Sequence, residues 1–233
     1  MGRSVKMTYD AVGNLICKSY PNGSKVTYSY DKKYRLTSVT AANGGVTSYE
    51  YDVLDRNTTI TDALGNKTKF GYSRSNGQLE TMTDPMSNTY TYGYDLNGNR
   101  TSVTMPNGTT VSTAYDARGR VTSQTDQYGN VTRYTYDGAD RLTSVTDALG
   151  NAWKYKYNSV GELVSVTDPM SNATRYEYDN GGRITKTTNA LGNTATATYD
   201  EAGNVLTSTD YVGNVTSYTY DEFDRVETKT LGG

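Results

Sequence analysis

The sequence predicts an all-β fold made of consecutive antiparallel β-hairpins, which follow one another in a coiled ribbon of sheet. A tyrosine recurs about every 21 residues, each interval holds two clusters of turn-forming residues, and the segments between them are rich in β-branched and aromatic residues. Nine of the ten intervals are 21 residues long, and one is 22. The recurring tyrosines are Tyr9, Tyr30, Tyr51, Tyr72, Tyr94, Tyr115, Tyr136, Tyr157, Tyr178, Tyr199 and Tyr220.

The composition limits how such a chain can be stabilised. Of its 233 residues, 23 are Tyr, 23 are Gly, 2 are Phe and 1 is Trp, and hydrophobic residues make up 34%. A thick aliphatic core is therefore excluded, and stability has to come from tyrosine faces and from paired backbone. We expect residues 1–233 to form a single repeat array of about ten full repeats, from Tyr9 to Tyr220, with partial repeats at both ends.

Each tyrosine opens the first turn of a repeat. In nine copies the next residue is Asp, and Ser73 and Asn158 are the exceptions. An Asp here can accept hydrogen bonds from backbone amides further round the turn, so a structural role is favoured over catalysis. Three residues beyond the Asp lies a column that we expect to be left-handed, because Gly and Asp tolerate positive φ. Its members are Gly13, Gly98, Gly119, Gly161, Gly182 and Gly203, with Asp55, Asp140 and Asp224 in other copies.

The second turn of the repeat carries its own signature. It is Asp-Ala-Leu-Gly-Asn at 62–66 and 147–151, and Asp-Pro-Met-Ser-Asn at 84–88 and 168–172. Pro and Gly occupy positions that suit their restricted or permissive φ angles. The extra residue of the 22-residue interval is expected in the first-type turn at 73–77, because a turn can absorb an insertion without shifting strand register.

The second strand of each repeat carries tyrosines at alternate positions, as in Tyr155 and Tyr157. Alternate strand residues point to one face, so both rings of a pair are predicted on the same side of the sheet. With two strands per repeat, equivalent rings then recur about every 10 Å. The opposite face holds Thr, Ser, Val and Lys, which suit a half-exposed surface.

These columns resemble the YD repeat, also called the Rhs repeat. The resemblance rests on Tyr-Asp-x-x-Gly-Arg/Asn, as at 115–120, and on Thr-Asp-Ala-Leu-Gly-Asn, and it covers about residues 7–230. It implies a sheet of hairpins that winds into a hollow shell. In bacterial Rhs toxins and toxin complexes such a shell encloses a toxin polypeptide, and similar repeats build extracellular barrels in teneurins. The chain lacks the Asp-Pro-x-Gly-Leu self-cleavage motif of the full bacterial proteins, so no autoproteolysis is assigned.

The sequence predicts no catalytic, cofactor-binding or metal-binding residues and no enzyme activity. Without His, an imidazole base or a His-type zinc site is excluded, and the lone Cys17 cannot form a Cys cluster. The carboxylates recur with the repeat, whereas a catalytic pair needs a unique site. Calcium on an Asp-rich turn remains an alternative. Residues that follow the period are interpreted as scaffold, so any chemistry would come from residues that break it.

Two functional hypotheses remain open at this stage. The first is a structural scaffold, a segment of a shell that encloses or displays a toxin or other polypeptide, with the remainder of its parent chain or an enclosed polypeptide as partner. The second is an extracellular adhesion module that binds carbohydrate or a protein through tyrosine rows, or associates with itself through open sheet edges. The interspersed charge of −2 predicts no nucleic acid partner, and no segment is apolar enough for a membrane span.

The resemblance implies that the parent protein is secreted or lies at the cell surface. The chain itself has no charged-then-apolar leader of the kind that forms a signal peptide.

Overall fold

The computed structural model describes residues 4–232, which contain 22 β-strands and no helix, and therefore no helix that could cross a membrane. The all-β prediction is confirmed. In the first half of the chain the strands are β1 (Lys6–Tyr9), β2 (Leu15–Ser19), β3 (Lys25–Tyr30), β4 (Leu36–Thr40), β5 (Val46–Tyr51), β6 (Asn57–Thr61), β7 (Lys67–Tyr72), β8 (Leu79–Thr83), β9 (Thr89–Tyr94), β10 (Arg100–Thr104) and β11 (Thr110–Tyr115). In the second half they are β12 (Val121–Thr125), β13 (Val131–Tyr136), β14 (Leu142–Thr146), β15 (Ala152–Tyr157), β16 (Leu163–Thr167), β17 (Ala173–Tyr178), β18 (Ile184–Thr188), β19 (Thr194–Tyr199), β20 (Val205–Thr209), β21 (Val215–Tyr220) and β22 (Val226–Gly232).

The chain divides into two compact units, the first ending at Tyr115 and the second beginning at Asp116. Within the first unit every strand from β1 to β11 pairs antiparallel with the next one. Within the second unit the same holds from β12 to β22. Each unit is thus a run of consecutive hairpins, as the repeat predicts.

Twenty of the 21 turns that join these strands in residues 4–232 share one hydrogen-bond pattern. In the turn at 10–14, the N–H of Asp10 donates to the carbonyl of Asn14 at 2.9 Å, and the N–H of Gly13 donates to the carbonyl of Asp10 at 3.2 Å. This is the three-residue hairpin loop in which a left-handed residue follows a type I turn. In the remaining turn Ser73 pairs with Gln78, one residue further on, so the predicted site of the insertion is confirmed.

Every one of these turns contains one residue with positive φ, and in 15 of them it is glycine. The other six are Tyr34, Asp55, Ser87, Asp140, Ser171 and Asp224, with φ between 60° and 68°. The predicted left-handed column of the first turn is therefore confirmed. Tyr34 occupies the same left-handed position in its turn, although the sequence pattern did not predict a tyrosine there.

In ten of the hairpins a β-bulge lies on the strand opposite the repeat tyrosine. In the first hairpin Thr8 pairs with Cys17 but Tyr9 pairs with Leu15, so that Ile16 is an extra residue without a partner. The same irregularity recurs in nine further hairpins. Because a bulge bends its strand and increases the local twist, its regular recurrence gives the hairpins of each unit the same bend.

The sheet has no closed hydrophobic core. No hydrophobic side chain in residues 4–232 is fully buried, which confirms the prediction that a thick core is excluded. In strands such as β3 and β19, exposure alternates along the strand, with the tyrosine-bearing face half-buried and the other face exposed. The tyrosine pairs therefore share one face, as predicted. Of the polar residues, Thr59, Ser73 and Ser165 are buried, at 8–9% exposure.

Ser171 tests the cost of the left-handed turn position. Its φ is 68° and its hydroxyl makes no hydrogen bond within residues 4–232. Ser171→Gly should raise stability by up to about 1 kcal/mol, because glycine removes the steric cost of positive φ, whereas the β-branched Ser171→Val should lower it by about 1–2 kcal/mol. Thermal or urea unfolding of the three proteins measures both effects. Gly150→Ser in the equivalent turn is the reverse control, and a stabilising effect of that change would contradict the argument.

Candidate functional site

In most repeats the first turn is held by several side-chain hydrogen bonds. At 137–141, Asp137 Oδ1 accepts the backbone N–H groups of Ala139 and Arg141 at 2.9 and 3.0 Å, and its Oδ2 accepts the Arg141 Nε–H at 2.7 Å. The predicted Asx-type arrangement is therefore confirmed. The carboxylate fixes both the turn and the direction of the arginine.

The arginine joins this turn to the next repeat. The guanidinium of Arg141 lies 4.9 Å from the ring centroid of Tyr157, and its Nη1 donates to the carbonyl of Asn158 at 2.9 Å. The Tyr157 hydroxyl in turn donates to the carbonyl of Leu142 at 2.9 Å. We call this set of an aspartate, an arginine and the following tyrosine the Tyr–Asp–Arg junction. It ties two repeats through a cation–π contact and hydrogen bonds.

The junction recurs in both units. The ring-to-guanidinium distance is 4.4–4.9 Å in the further pairs Arg35 and Tyr51, Arg56 and Tyr72, Arg120 and Tyr136, and Arg183 and Tyr199. The hydroxyl-to-carbonyl bond is more general still. Nine repeat tyrosines donate to the carbonyl 15 residues earlier, at 2.7–3.1 Å.

Where the arginine or the aspartate is replaced, a side-chain hydrogen bond between the same two positions of the turn is kept in the following copies. In other copies Asn replaces the arginine, and its amide donates to the aspartate, as from Asn99 to Asp95 at 2.9 Å. At the sequence exception Asn158 the roles are reversed, because the Asn158 amide donates to the carboxylate of Glu162 at 2.6 Å. In these copies a donor and an acceptor occupy the two positions, whichever residue supplies each.

The bonds hold these carboxylates in the ionised form. Sixteen aspartates have a lowered pKa, and fifteen of them open a turn. The Arg56 side chain is the main cause of the lowered pKa of Asp52, and the backbone N–H of Arg141 is the main cause for Asp137. A carboxylate stabilised as an anion is a poor proton donor near neutral pH, so these groups suit structure rather than acid catalysis.

Other candidate sites offer little chemistry. An open cleft of the first unit is lined by Tyr20, Pro21, Asn22, Ser24, Val26 and Ala42, which include no carboxylate, Lys or Arg. Residues 4–232 contain no group of three or more His, Cys, Asp or Glu side chains placed to hold a metal ion. The thiol of Cys17 lies 3.6 Å from the Ser19 hydroxyl and is partly exposed. The predicted absence of catalytic, cofactor and metal residues remains a prediction.

Large apolar side chains lie at the tips of seven second turns, two in the first unit and five in the second. Each of these side chains is more than 80% exposed: Leu64, Met86, Tyr128, Leu149, Met170, Leu191 and Val212. Contiguous apolar patches mark surfaces that contact another molecule, whereas single exposed apolar side chains are common on soluble proteins. The sequence predicts turns at four of these residues, Leu64, Met86, Leu149 and Met170, but their exposure was not predicted.

The pH dependence of stability should follow from the lowered aspartate pKa values. An aspartate whose folded pKa lies below its unfolded value of about 3.9 stabilises the fold above that pH, and the contribution is lost as the pH falls. The thermal midpoint should therefore stay constant between about pH 6 and 8, where no His titrates, and fall below about pH 5. Thermal scans from pH 3 to 8 measure it. A step between pH 6 and 7 would contradict this assignment.

The tyrosine hydroxyl can be tested by its removal. Tyr157→Phe keeps the ring under Arg141 but removes the bond to Leu142, and should lower stability by about 0.5–1.5 kcal/mol. Tyr94→Phe is the matched control, because the hydroxyl of Tyr94 donates no hydrogen bond within residues 4–232 and its loss should change stability little. Equal effects of the two changes in a urea titration would show that the bond does not contribute.

Family models of related repeats match both halves of the chain. The family model described as Teneurin YD-shell matches residues 2–112, and the model described as RHS Repeat matches residues 115–152, 157–194 and 199–233. No curated protein matches the chain in sequence.

Solved structures share the fold at low sequence identity. The crystal structure of TcdB2-TccC3 is 17% identical with a TM-score of 0.71, and that of TcdB2-TccC3-Cdc42 is 16% identical with a TM-score of 0.69; each match covers 95% of this chain and 14% of the other. TcdB2-TccC3-TEV matches at 15% identity and a TM-score of 0.52, over 97% and 16%. The chain thus spans about one seventh of the length of these structures. Because the two family models describe YD-type repeats and together match nearly all of it, the chain belongs to the RHS/YD-repeat family.

Proposed function

We propose that the chain is a non-catalytic scaffold, a segment of the wall of a YD-repeat shell that encloses another polypeptide. The observation that carries this proposal is the Tyr–Asp–Arg junction. In the clearest copies the aspartate, the arginine and the tyrosine hydroxyl all bond to neighbouring backbone or to each other, as at Asp137, Arg141 and Tyr157. The repeated ionisable groups thus join one hairpin to the next.

The similar structures support a shell wall at the level of fold. They show that this hairpin array is a shape found in much longer chains, of which this chain covers 14–16%. The remainder of the parent chain is accordingly the first partner that we propose. An enclosed polypeptide, a secreted or cell-surface location and the absence of enzyme activity belong to the same proposal.

The exposed surfaces support contact with further polypeptide. The apolar tips of the second turns, such as Leu149 and Met170, are 89% and 83% exposed. The sheet is also a single layer with no fully buried hydrophobic side chain in residues 4–232, so both of its faces are accessible. A wall needs these properties, because it has one surface toward its contents and another toward its surroundings.

Adhesion to carbohydrate is the weaker candidate. The paired tyrosines, such as Tyr155 and Tyr157, lie on the half-buried face, where neighbouring side chains cover part of each ring. Sugar stacking requires an open ring face, so this packing favours a structural role for the rows. Self-association through strand edges remains part of this second proposal. Light scattering tests it by measuring the mass of the chain in solution.

Protection of a passenger tests the proposed wall. An unfolded, protease-sensitive polypeptide is fused after Gly233, and its cleavage is compared with that of the same passenger fused to an unrelated β-protein of equal size. If the chain walls off polypeptide, the passenger should be cut about tenfold more slowly on this chain, because cleavage follows the population of the accessible form. Equal rates, with the repeat array itself intact, would contradict the proposal.

A further inference from the structure

A cluster of cations interrupts the repeat in the second unit. Ser165 in β16 pairs with Lys156 of β15 on one side and with Arg175 of β17 on the other. Paired residues of adjacent strands lie about 5 Å apart at their Cα atoms, so both cations flank the same serine. Lys154, two residues before Lys156, points to the same face. Ser165 itself is 9% exposed, whereas the three cations are exposed.

The cations have no neutralising partner in this arrangement. Lys154, Lys156 and Arg175 form no ion pair within residues 4–232. Of the acids on the same face, Glu177 lies closest along β17, and it bonds instead to Lys186 at 2.9 Å. Like charges held near each other on one surface destabilise the fold unless an anion joins them.

The equivalent position of the first unit is balanced. There Thr59 takes the place of the serine, and its two cross-strand partners are Glu50 and Lys69, one acid and one base. In several other repeats the flanking positions hold Ser or Thr, as at Ser29, Ser112 and Thr198. Other repeats therefore form the same hairpins without cations at these positions, so the excess of cations around Ser165 is a local departure from the repeat.

The rest of the chain carries the opposite charge. The face around Ser165 holds Arg133, Lys154, Lys156, Arg175 and Lys186 against one carboxylate, Glu177. The chain has 23 Lys and Arg and 25 Asp and Glu, so the remainder has 18 cations and 24 anions. A positive patch on a negative background directs an anionic partner to one place.

We infer that this patch, centred on Ser165 and formed by Lys154, Lys156 and Arg175, binds an acidic segment of a polypeptide. A carboxylate placed over Ser165 can accept from the exposed guanidinium of Arg175 and from the exposed ammonium of Lys156, and it neutralises both charges. The inference rests on the proposed function, because it identifies the chemistry by which the wall holds the polypeptide next to it.

The surroundings favour a polypeptide over a nucleic acid. Single-stranded nucleic acid is bound where aromatic rings stack on the bases beside the cations. Here the aromatic residues of β15, which are Trp153, Tyr155 and Tyr157, alternate with the lysines and therefore lie on the opposite face. The cationic face instead presents hydroxyl groups, which suit single carboxylates.

A short polyglutamate peptide is the direct probe, and its binding to the full chain can be measured by fluorescence anisotropy at low salt. The test variant Lys154→Ser, Lys156→Thr, Arg175→Ser uses residue types already present at these positions in other repeats, so it should fold. It should bind at least about tenfold more weakly, and added salt should weaken binding to the unmodified chain. Unchanged binding by the variant would overturn the inference.

The control variant removes equal charge elsewhere. Lys25→Thr, Lys67→Thr, Lys69→Ser takes three cations from the first unit and should bind polyglutamate as the unmodified chain does. If it weakens binding equally, net charge alone is responsible and the patch is not a site. Tighter binding of an oligonucleotide of equal charge than of polyglutamate would also overturn the assignment. Polyglutamate binding without passenger protection would refute the proposed wall and leave the patch established.

Discussion

The Tyr–Asp–Arg junction is the interaction on which the rest of the structure depends. A hairpin of two short strands is at best marginally stable by itself, and in residues 4–232 no buried hydrophobic core compensates for this. The junction connects one hairpin to the next, because its aspartate orders the turn and orients the arginine toward the next tyrosine. At Asp137 this takes three accepted hydrogen bonds from the turn. The constant period accompanies a constant bond, since nine repeat tyrosines donate to the carbonyl 15 residues earlier.

A scaffold of this kind is stabilised by contacts between neighbouring repeats rather than by a central hydrophobic core. Its free energy of unfolding is then approximately a sum over repeats and over the contacts between them, as in other repeat proteins. Local substitutions are tolerated where the bond survives, which explains why Asn99 can replace an arginine and why Asn158 and Glu162 can exchange roles. A sheet of this kind can leave both faces accessible, which a protein folded around a core cannot do.

Much of this architecture could be predicted from the sequence, because turn chemistry is local. The left-handed column at Gly13 and Asp140, the Asx-type bonds and the insertion at 73–77 depend on residues within a few positions of one another. The recurring bulge at residues such as Ile16 could not be predicted, because it depends on the register between strands. The contact between Arg141 and Tyr157 was also missed, since these residues are 16 positions apart and only the folded hairpins bring them together.

Whether a residue follows the repeat or departs from it also indicates where a repeat protein contacts a partner. A residue that follows the period is explained by the bonds it makes to the next repeat, and it carries no information about a partner. A residue that departs from the period and makes no compensating bond is a candidate for contact with a partner. Glu50 and Lys69, which lie on either side of Thr59, depart from the period with opposite charges. Lys156 and Arg175 on either side of Ser165 are not balanced, and an external carboxylate is the group that would complete them.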